Sequence, residues 1–565
     1  MKHISKIFNM RVFIYTFLIW LNLNISGIQN IYFSEGKNLT IIVVKILHIF
    51  FLYAILSKIH SLYVKRHLPK VKNEIIISLI YFCILTILLI LVWPGIWGSD
   101  DITVLRNAEW YKLTPWQHFF SGLFQILCLQ TIPIPSGVMI IQIIISSLIV
   151  GYCISNISRL YGKTKKQVII LQIVLGMITL FPPIIMYILS GFRMGMYSYL
   201  ELALITKIII LYKEQKKATN IELLKISFLT IIITCWRTEA FYYPIFILIL
   251  YFILGKKIIA KRVAIIGLLI IMIINGSIGK LNNSMIDAMS DTENSTIKGK
   301  DYNSSARKAT GYSLTATMEP VTQLLKISDE SDKKEIDIID KVINVKYILE
   351  HPENTGETNF WAEGVVREYT EEEYENYLKA YLKLAIKYTD VTLKSMWNIF
   401  EKTGSGIGEN SKQTTRNMVS WNETLTLFEI GERSAIHWNA VTSKVLKYKT
   451  AINENIRNLV IRFLNGTDSN SKITPIHNIF WNLFIPFTLL LICLIYKLIT
   501  KDWFMIFLIL TIFIRVLLVF MTAPAPYFMY YLSAYLCSYI ISVIVIYEFI
   551  TKSFNKCLML EEGKL

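Results

Sequence analysis

Twelve stretches of this chain are apolar for long enough that water is a poor solvent for them. Leu483–Tyr496 reads LFIPFTLLLICLIY, and Trp503–Met521 reads WFMIFLILTIFIRVLLVFM. A helix rises about 1.5 Å per residue, so roughly 20 such residues cross the hydrocarbon core of a bilayer. One run of this kind suits the buried core of a large soluble protein; a dozen do not. Composition agrees. Of 565 residues, 54% are hydrophobic and only 18% are charged, too few charges to cover the surface of a soluble chain of this size. The fold class expected is an all-α polytopic membrane protein with about 12 transmembrane helices.

The spans are assigned as Val12–Phe33, Leu39–Ser57, Ile75–Trp93, Val138–Ile157, Val168–Leu189, Met196–Tyr212, Ile221–Cys235, Ala240–Leu254, Val263–Ile278, Ile479–Tyr496, Trp503–Met521 and Met529–Ile550. The first is long and lacks a small-x-small cleavage site before a polar start, so it reads as a retained helix and not as a signal peptide. This divides the chain into a membrane region over 1–278, a polar domain over 279–475 and a second membrane region over 476–565.

The net charge of +17 sits in loops at alternate ends of the spans. Lys58, Lys65, Arg66, Lys70 and Lys72 fill one, and Arg159, Lys163, Lys165 and Lys166 another. Lys213, Lys216 and Lys217 fill a third, and Lys256, Lys257, Lys261 and Arg262 a fourth. Cytoplasmic loops retain Lys and Arg, which sets both termini in the cytoplasm, the expected location being the plasma membrane. No basic stretch outside the spans is interleaved with aromatics, so nucleic acid is not an expected partner; the lipid bilayer is. The seven cysteines show no CxxC or Cys/His spacing, and no metal site is expected.

Two segments interrupt the runs. The loop over 94–137 opens PGIWGSDD, and its stretch Pro115–Ile132 places Trp116, Phe119, Phe120, Leu123 and Leu127 at helical spacing. It reads as an amphipathic helix lying in the outer interface. The polar segment Gly279–Pro475 reads as a mainly helical extracytoplasmic domain. Within it Thr370-Glu-Glu-Glu373 forms a capping box ahead of an apolar stripe of Tyr374, Tyr377, Leu378, Tyr381, Ala385 and Tyr388. A further helix is expected over Lys334–Glu350, and a flexible break over Thr403–Gly408.

Charges near the outer surface are the candidate chemistry. Asp100 and Asp101 follow the third span closely; adjacent carboxylates there can act as a general base or hold a divalent cation, and equally can cap a helix running through Leu105. No cofactor is otherwise expected. Arg515 lies inside an apolar span, about 10 Å below its outer end, where burial of a guanidinium demands a partner. A lipid-linked phosphate is one; Glu201 or Glu239 is another, and snorkelling to the interface is the alternative to a partner. Arg237 and Glu239 fall in one tight outer turn and Arg193 in another; Glu201 lies deep enough to need a partner, while Lys207 can snorkel inward. His118 reads as an interfacial aromatic or a binding residue, and Tyr527 lies in the late loop APAPYFMYY.

Taken together, WGSDD at Trp97–Asp101, LTPWQHF at Leu113–Phe119, the hairpin segment GFRMGMYSYLELALITKIIILYKEQ and the ending APYFMYYLSAYL resemble the GT-C superfamily of membrane glycosyltransferases. That class includes protein O-mannosyltransferases and bacterial aminoarabinose transferases, and the likeness is greatest to an uncharacterised bacterial group with an extended outer domain. It covers the membrane region from about Ile75 onward. It implies an enzyme that moves a sugar from a polyprenyl-phosphate donor to a glycan, lipid or protein acceptor of the cell envelope, with inversion. Asp101 or Asp100 would then be the general base, and Arg515, Arg237, Arg193, Glu239, His118 and Tyr527 the groups facing lipid phosphate or substrate. The chain departs from the pattern in its two extra leading spans and in carrying Asp-Asp where many relatives have Asp-Glu.

A transporter or flippase is the rival reading, as is a polymerase of lipid-linked saccharides. The first calls for inverted repeats with helices broken at mid-membrane, and no internal repeat is present. The topology itself is testable. A cysteine introduced at Asn303 is expected to react with an impermeant thiol reagent in intact cells; labelling only after lysis would reverse the orientation.

Overall fold

The computed structural model describes residues 9–33, 39–97, 99–113, 118–215, 217–237, 240–258, 261–296, 314–404, 454–470 and 472–561. Regular structure among these is helical, with β-pairing confined to three isolated bridges. The first half forms α1 (Met10–Ile25), α2 (Leu39–Val64), α3 (Pro69–Leu91), α4 (Ser99–Glu109), α5 (Phe119–Thr131), α6 (Ser136–Tyr161), α7 (Lys165–Thr179), α8 (Pro182–Ile188), α9 (Arg193–Glu214), α10 (Asn220–Trp236), α11 (Tyr243–Ile258) and α12 (Lys261–Thr296). The polar segment contributes α13 (Thr315–Ile327), α14 (Lys333–Asp340), α15 (Val345–Glu350), α16 (Gly356–Trp361), α17 (Glu371–Lys387), α18 (Thr389–Gly404) and α19 (Glu454–Asn465). The chain finishes with α20 (Pro475–Phe480), α21 (Phe484–Ile499), α22 (Trp503–Thr522) and α23 (Leu532–Glu561).

Among the described residues, seven helical stretches are long and apolar enough to cross a membrane: α2, α3, α6, α9, the α20–α21 stretch, α22 and α23. They make this a multi-pass integral membrane protein. An eighth is reached if α7 and α8, bent by 63° at their junction, form one span. The bend falls at Leu180-Phe181, just before Pro182-Pro183, where proline ends one helix and starts the next. The remaining assigned spans fall on α1, α10, α11 and α12. Of these α1, α10 and α11 have 16, 17 and 16 residues, and α12 runs 36 residues into a polar end. The first span is shorter than its assignment: Asn24, Ser26 and Gly27 (φ +67°) stop α1 well before Phe33.

The bundle is built around α9. Of the seven spanning stretches it is the least apolar, since it carries Glu201 and Lys207, and it is the most enclosed, 83% of its apolar stretch being buried. The order is physical, because a helix with ionisable groups cannot turn them to lipid. It packs against α6, α10 and α23, while α2, only 17% buried, lies at the periphery. Lys207, expected to snorkel inward, ion-pairs with Glu222 of α10 at 2.8 Å.

The expectation for α5 is corrected. Its residues are buried nearly all round, Ser121, Gln125 and Gln130 included, so it is a packed helix and not one floating in the interface. Its two glutamine amide nitrogens are spent on protein. Gln125 Nε2 donates to the Gly191 carbonyl at 3.0 Å and Gln130 Nε2 to the Tyr111 hydroxyl at 3.2 Å.

The polar segment has an apolar core of its own, drawn from α13, α14, α15, α16 and α17. The Thr370–Glu373 capping box forms, and Tyr377 and Tyr381 of the stripe are buried. The helix expected over Lys334–Glu350 is two helices, because Asn344 turns the chain and caps α15, accepting from Tyr347 N–H at 3.2 Å. Lys387 Nζ and Tyr388 Oη both meet Asp332 at 2.7 Å. Burial by itself would raise that carboxyl; the two hydrogen bonds outweigh it and hold it below its ordinary value. The unit is tied to the bundle through α18, where Phe400 packs among Phe484, Phe487, Phe520 and Tyr531. Gly404 closes α18 against Leu483: the Leu483 N–H donates to its carbonyl at 2.9 Å, and a Cβ there would lie 2.4 Å from the leucine side chain. Of the expected break, only Thr403 and Gly404 are described, and both are helical.

Glycine also sets how closely α8 approaches α9. A Cβ on Gly195 would sit 2.3 Å from the carbonyl oxygen of Tyr187, whereas one on Gly176 of α7 meets nothing within 4 Å. Gly195→Ala is therefore expected to lower the melting temperature of the detergent-solubilised protein, with a cost of about 1–3 kcal/mol for overpacking. Gly176→Ala is expected to leave it unchanged or raise it slightly. Equal melting temperatures for the two variants would contradict the packing.

Candidate functional site

The chain leaves α3 through Val92, a cis Trp93–Pro94 bond and Gly95, whose φ of +117° suits only glycine. Ile96 then donates its N–H to the Leu189 carbonyl at 2.9 Å and pairs in parallel with Ser190. This short backbone contact brings Trp97 and Asp101 onto the turn SGFRMG between α8 and α9.

Ser99 is the first residue of α4, so Asp100 and Asp101 both fall in its first turn, where the helix dipole favours negative charge. The side chain of Asp100 lies outside the described ones. Asp101 is buried, 3% exposed. Its Cβ lies over Gly191, where an added Cβ would approach it to 3.1 Å and the Trp97 ring to 2.7 Å. Asp101 is also within electrostatic reach of Tyr187, whose hydroxyl meets the backbone of Met529 in the late loop.

The cations converge on the same turn. Arg193 begins α9, and its carbonyl accepts from Trp236 Nε1 at 3.0 Å. Arg237, directly after α10 and 1% exposed, contacts the Met194 sulfur and lies 5.8 Å from the centre of the Tyr530 ring. His118 adopts φ +72° to cap α5, its Nδ1 accepting from Phe120 N–H at 3.3 Å. Burial and then the Arg193 charge lower its pKa to about 4, so it is neutral near pH 7, as the acceptor role requires. Asp101, Arg193, Arg237 and His118 are thus gathered around one turn, with residues 529–530 beside them. Tyr527 faces elsewhere, donating from its hydroxyl to Glu357 of α16. Glu239 lies outside the described residues.

Arg515 is set deeper. Arg193, Tyr197 and Glu201 share one face of α9 at four-residue spacing, which carries the row about 12 Å down the helix. Arg515 of α22, 2% exposed, donates from Nη1 to Glu201 Oε2 at 3.0 Å and to the Tyr197 hydroxyl, with its guanidinium 4.4 Å from that ring's centre. Tyr243 of α11 donates to the other Glu201 oxygen. The partner that its burial demands is therefore the internal carboxylate, and the lipid phosphate expected in that place is not needed to account for it.

Arg457 was not foreseen. It is buried, and its guanidinium donates to the Gly95 carbonyl at 3.1 Å and, at 3.4 Å, to that of Val92, bracing the loop that carries Asp101. Nothing local marks it, since α19 lies in the polar segment, far away in sequence. Asn282 of α12 is similar, accepting from Phe119 N–H at 2.9 Å. Among the described residues no group of three His, Cys, Asp or Glu side chains is arranged to hold a metal ion.

No family model matches the chain, and no curated protein or solved structure matches it.

The pairing of Arg515 yields a test. Arg515→Leu leaves Glu201 buried without its cation, and a loss of roughly 3–5 kcal/mol is expected in detergent unfolding. The double variant Arg515→Leu/Glu201→Leu is expected to recover most of that loss, as replacement of both charges by apolar groups removes the unpaired carboxylate. Additive losses would show that the two residues do not depend on each other.

Proposed function

We propose that this protein is a membrane glycosyltransferase of GT-C type, which transfers a sugar from a polyprenyl-phosphate donor to a cell-envelope acceptor. The observation that carries the reading is the gathering of a buried carboxylate, Asp101, and two arginines, Arg193 and Arg237, about the turn that joins α8 to α9. A transfer of this kind needs a base for the incoming hydroxyl and fixed cations for the departing phosphate, close together at one end of the bundle.

In this reading Asp101 takes the proton of the acceptor hydroxyl. The acceptor oxygen bonds to the anomeric carbon as the bond from that carbon to the phosphate oxygen breaks on the opposite face. The configuration inverts, with no covalent sugar–enzyme intermediate. The charge left on the polyprenyl phosphate is met by Arg193 and Arg237. Asp100, its neighbour in the first turn of α4, supports the helix start or orients the acceptor. Neutral His118 and Tyr530 line the approach. Arg515 acts as a positioning residue: paired with Glu201, it holds α9 and hence the turn. Tyr527, through Glu357, ties the polar segment to the rim of the site.

The finer topology belongs to the same proposal. All 12 assigned segments cross the plasma membrane, both termini face the cytoplasm, and residues 279–475 stand outside over the site. The lipid tail of the donor lies between helices.

The two aspartates are expected to behave differently. Asp101→Asn keeps size and hydrogen bonding but removes the base, so transfer from a polyprenyl-phosphate sugar should fall by roughly 10²–10⁴ with donor binding intact. Asp100→Asn should change the rate little and cost about 0.5–2 kcal/mol of stability at most. The measurement is transfer by purified protein over a panel of polyprenyl-phosphate sugars. If Asp101→Asn transfers as fast as the parent chain, the base is misassigned; if no donor is turned over and the protein instead moves one across a vesicle membrane, it is a transporter.

A further inference from the structure

The chain returns from the polar segment to the membrane through α19, and both ends of that helix are fastened to the ends of spans. Near its start the Arg457 guanidinium donates to the carbonyls of Val92 and Gly95, just past the end of α3. At its finish the Leu464 carbonyl accepts from Trp481 Nε1 and the Asn465 carbonyl from His477 Nδ1, both at 2.9 Å. His477 and Trp481 stand at the opening of the α20–α21 stretch. The helix therefore lies along the bundle at the level where these two spans meet the membrane surface, at the end that carries Asp101.

Its residues give it three faces. Arg457, Ile461 and Leu464 are buried where α19 packs on α8 and α3. Ile456, Leu459 and Phe463, three and four residues apart, make a second, apolar face. Asn455, Asn458 and Arg462 make a third, polar one. The apolar face is open among the described residues: Ile456 is 43% exposed, Leu459 66% and Phe463 55%. Water is a poor cover for it, since each such side chain gains about 1.5–3 kcal/mol on full burial.

We propose that α19 lies in the bilayer interface, with Ile456, Leu459 and Phe463 against acyl chains and Asn455, Asn458 and Arg462 turned to headgroups and water. The surface beside the apolar face belongs to spanning helices and is itself apolar and open. Ile87 and Ile90 of α3, 58% and 50% exposed, come shortly before Val92, and Ile479, 53% exposed, comes two residues after His477. Lipid that covers those residues continues onto α19. An apolar face flanked by a polar one with a basic side chain is the pattern that holds a helix at this depth. A second copy of the chain fits less well, because three side chains offer far less than the roughly 800 Å² per partner of a stable protein interface. The helix that braces the Asp101 loop through Arg457 is then itself held by lipid. The inference rests on the membrane placement of α3 and α20–α21, and not on the transferase reading.

The test uses the full chain with Cys83 and Cys557 changed to Ser, in phosphatidylcholine nanodiscs. A nitrobenzoxadiazole fluorophore is attached to one added cysteine, Leu459→Cys or Asn458→Cys. At position 459 the emission is expected to be quenched several-fold more by phosphatidylcholine nitroxide-labelled near the headgroup end of its acyl chain than by iodide in the buffer. At position 458 the order is expected to reverse. Iodide quenching at 459 as strong as at 458 would place the apolar face in water and overturn the proposal. Protection of 459 from both quenchers would overturn it in favour of a protein cover, from a second copy or from another part of the chain.

Discussion

A charged residue in a lipid-embedded bundle must be answered inside the protein, and Arg515 and Glu201 set much of this architecture by that rule. The pair joins α22 to α9, and Tyr243 brings in α11 on the second carboxylate oxygen. With both oxygens engaged and Tyr197 against the guanidinium, α9 has no freedom to turn that face to lipid. It is accordingly the most enclosed of the seven spanning stretches among the described residues, although its sequence is the least apolar of them. Such a pair adds little net stability over an apolar substitute of the same shape. What it supplies is a single register between helices, since any other register leaves a charge alone.

The consequence is felt at the end of α9. Its first turn carries Arg193 and follows directly on Gly191, so whatever fixes α9 fixes the turn. Four separate segments then use that turn as their reference: the loop after α3 through Ile96 and Asp101, α5 through Gln125, α10 through Trp236 and Arg237, and the loop before α23 through Tyr530 and Met529. Arg457 braces the Asp101 loop from the polar segment. The buried side chains of Asp101 and Arg237 thus lie at this turn, with Arg193 at the head of α9.

Much of this could be read from residues in order. The apolar runs, the acidic pair after the third span, the capping box at Thr370 and the buried stripe of Tyr377 and Tyr381 are local patterns, each written within one or two turns of helix. Glu201 was legible as a possible partner for Arg515 on the cost of burying either alone. The amphipathic reading of α5 failed for a definite reason. Helical spacing of Phe119, Leu123 and Leu127 tells which residues share a face, but not what covers the opposite one, and here protein covers it where lipid or water was expected.

The sequence by itself determined the solvent. Runs of apolar residues longer than a soluble core accommodates leave only a bilayer, and a bilayer leaves only helices that satisfy their own backbone hydrogen bonds. It also determined the candidates, because ionisable groups are conspicuous among apolar neighbours. Only the tertiary structure decided between them. Arg515 and Glu201 lie 314 residues apart and Arg457 and Gly95 362 apart, and no local pattern encodes which of several arginines meets a carboxylate. That choice follows from how the helices pack, where volume, glycine contacts such as Gly195 on α8 and the demand that each buried charge find its counterpart are satisfied together.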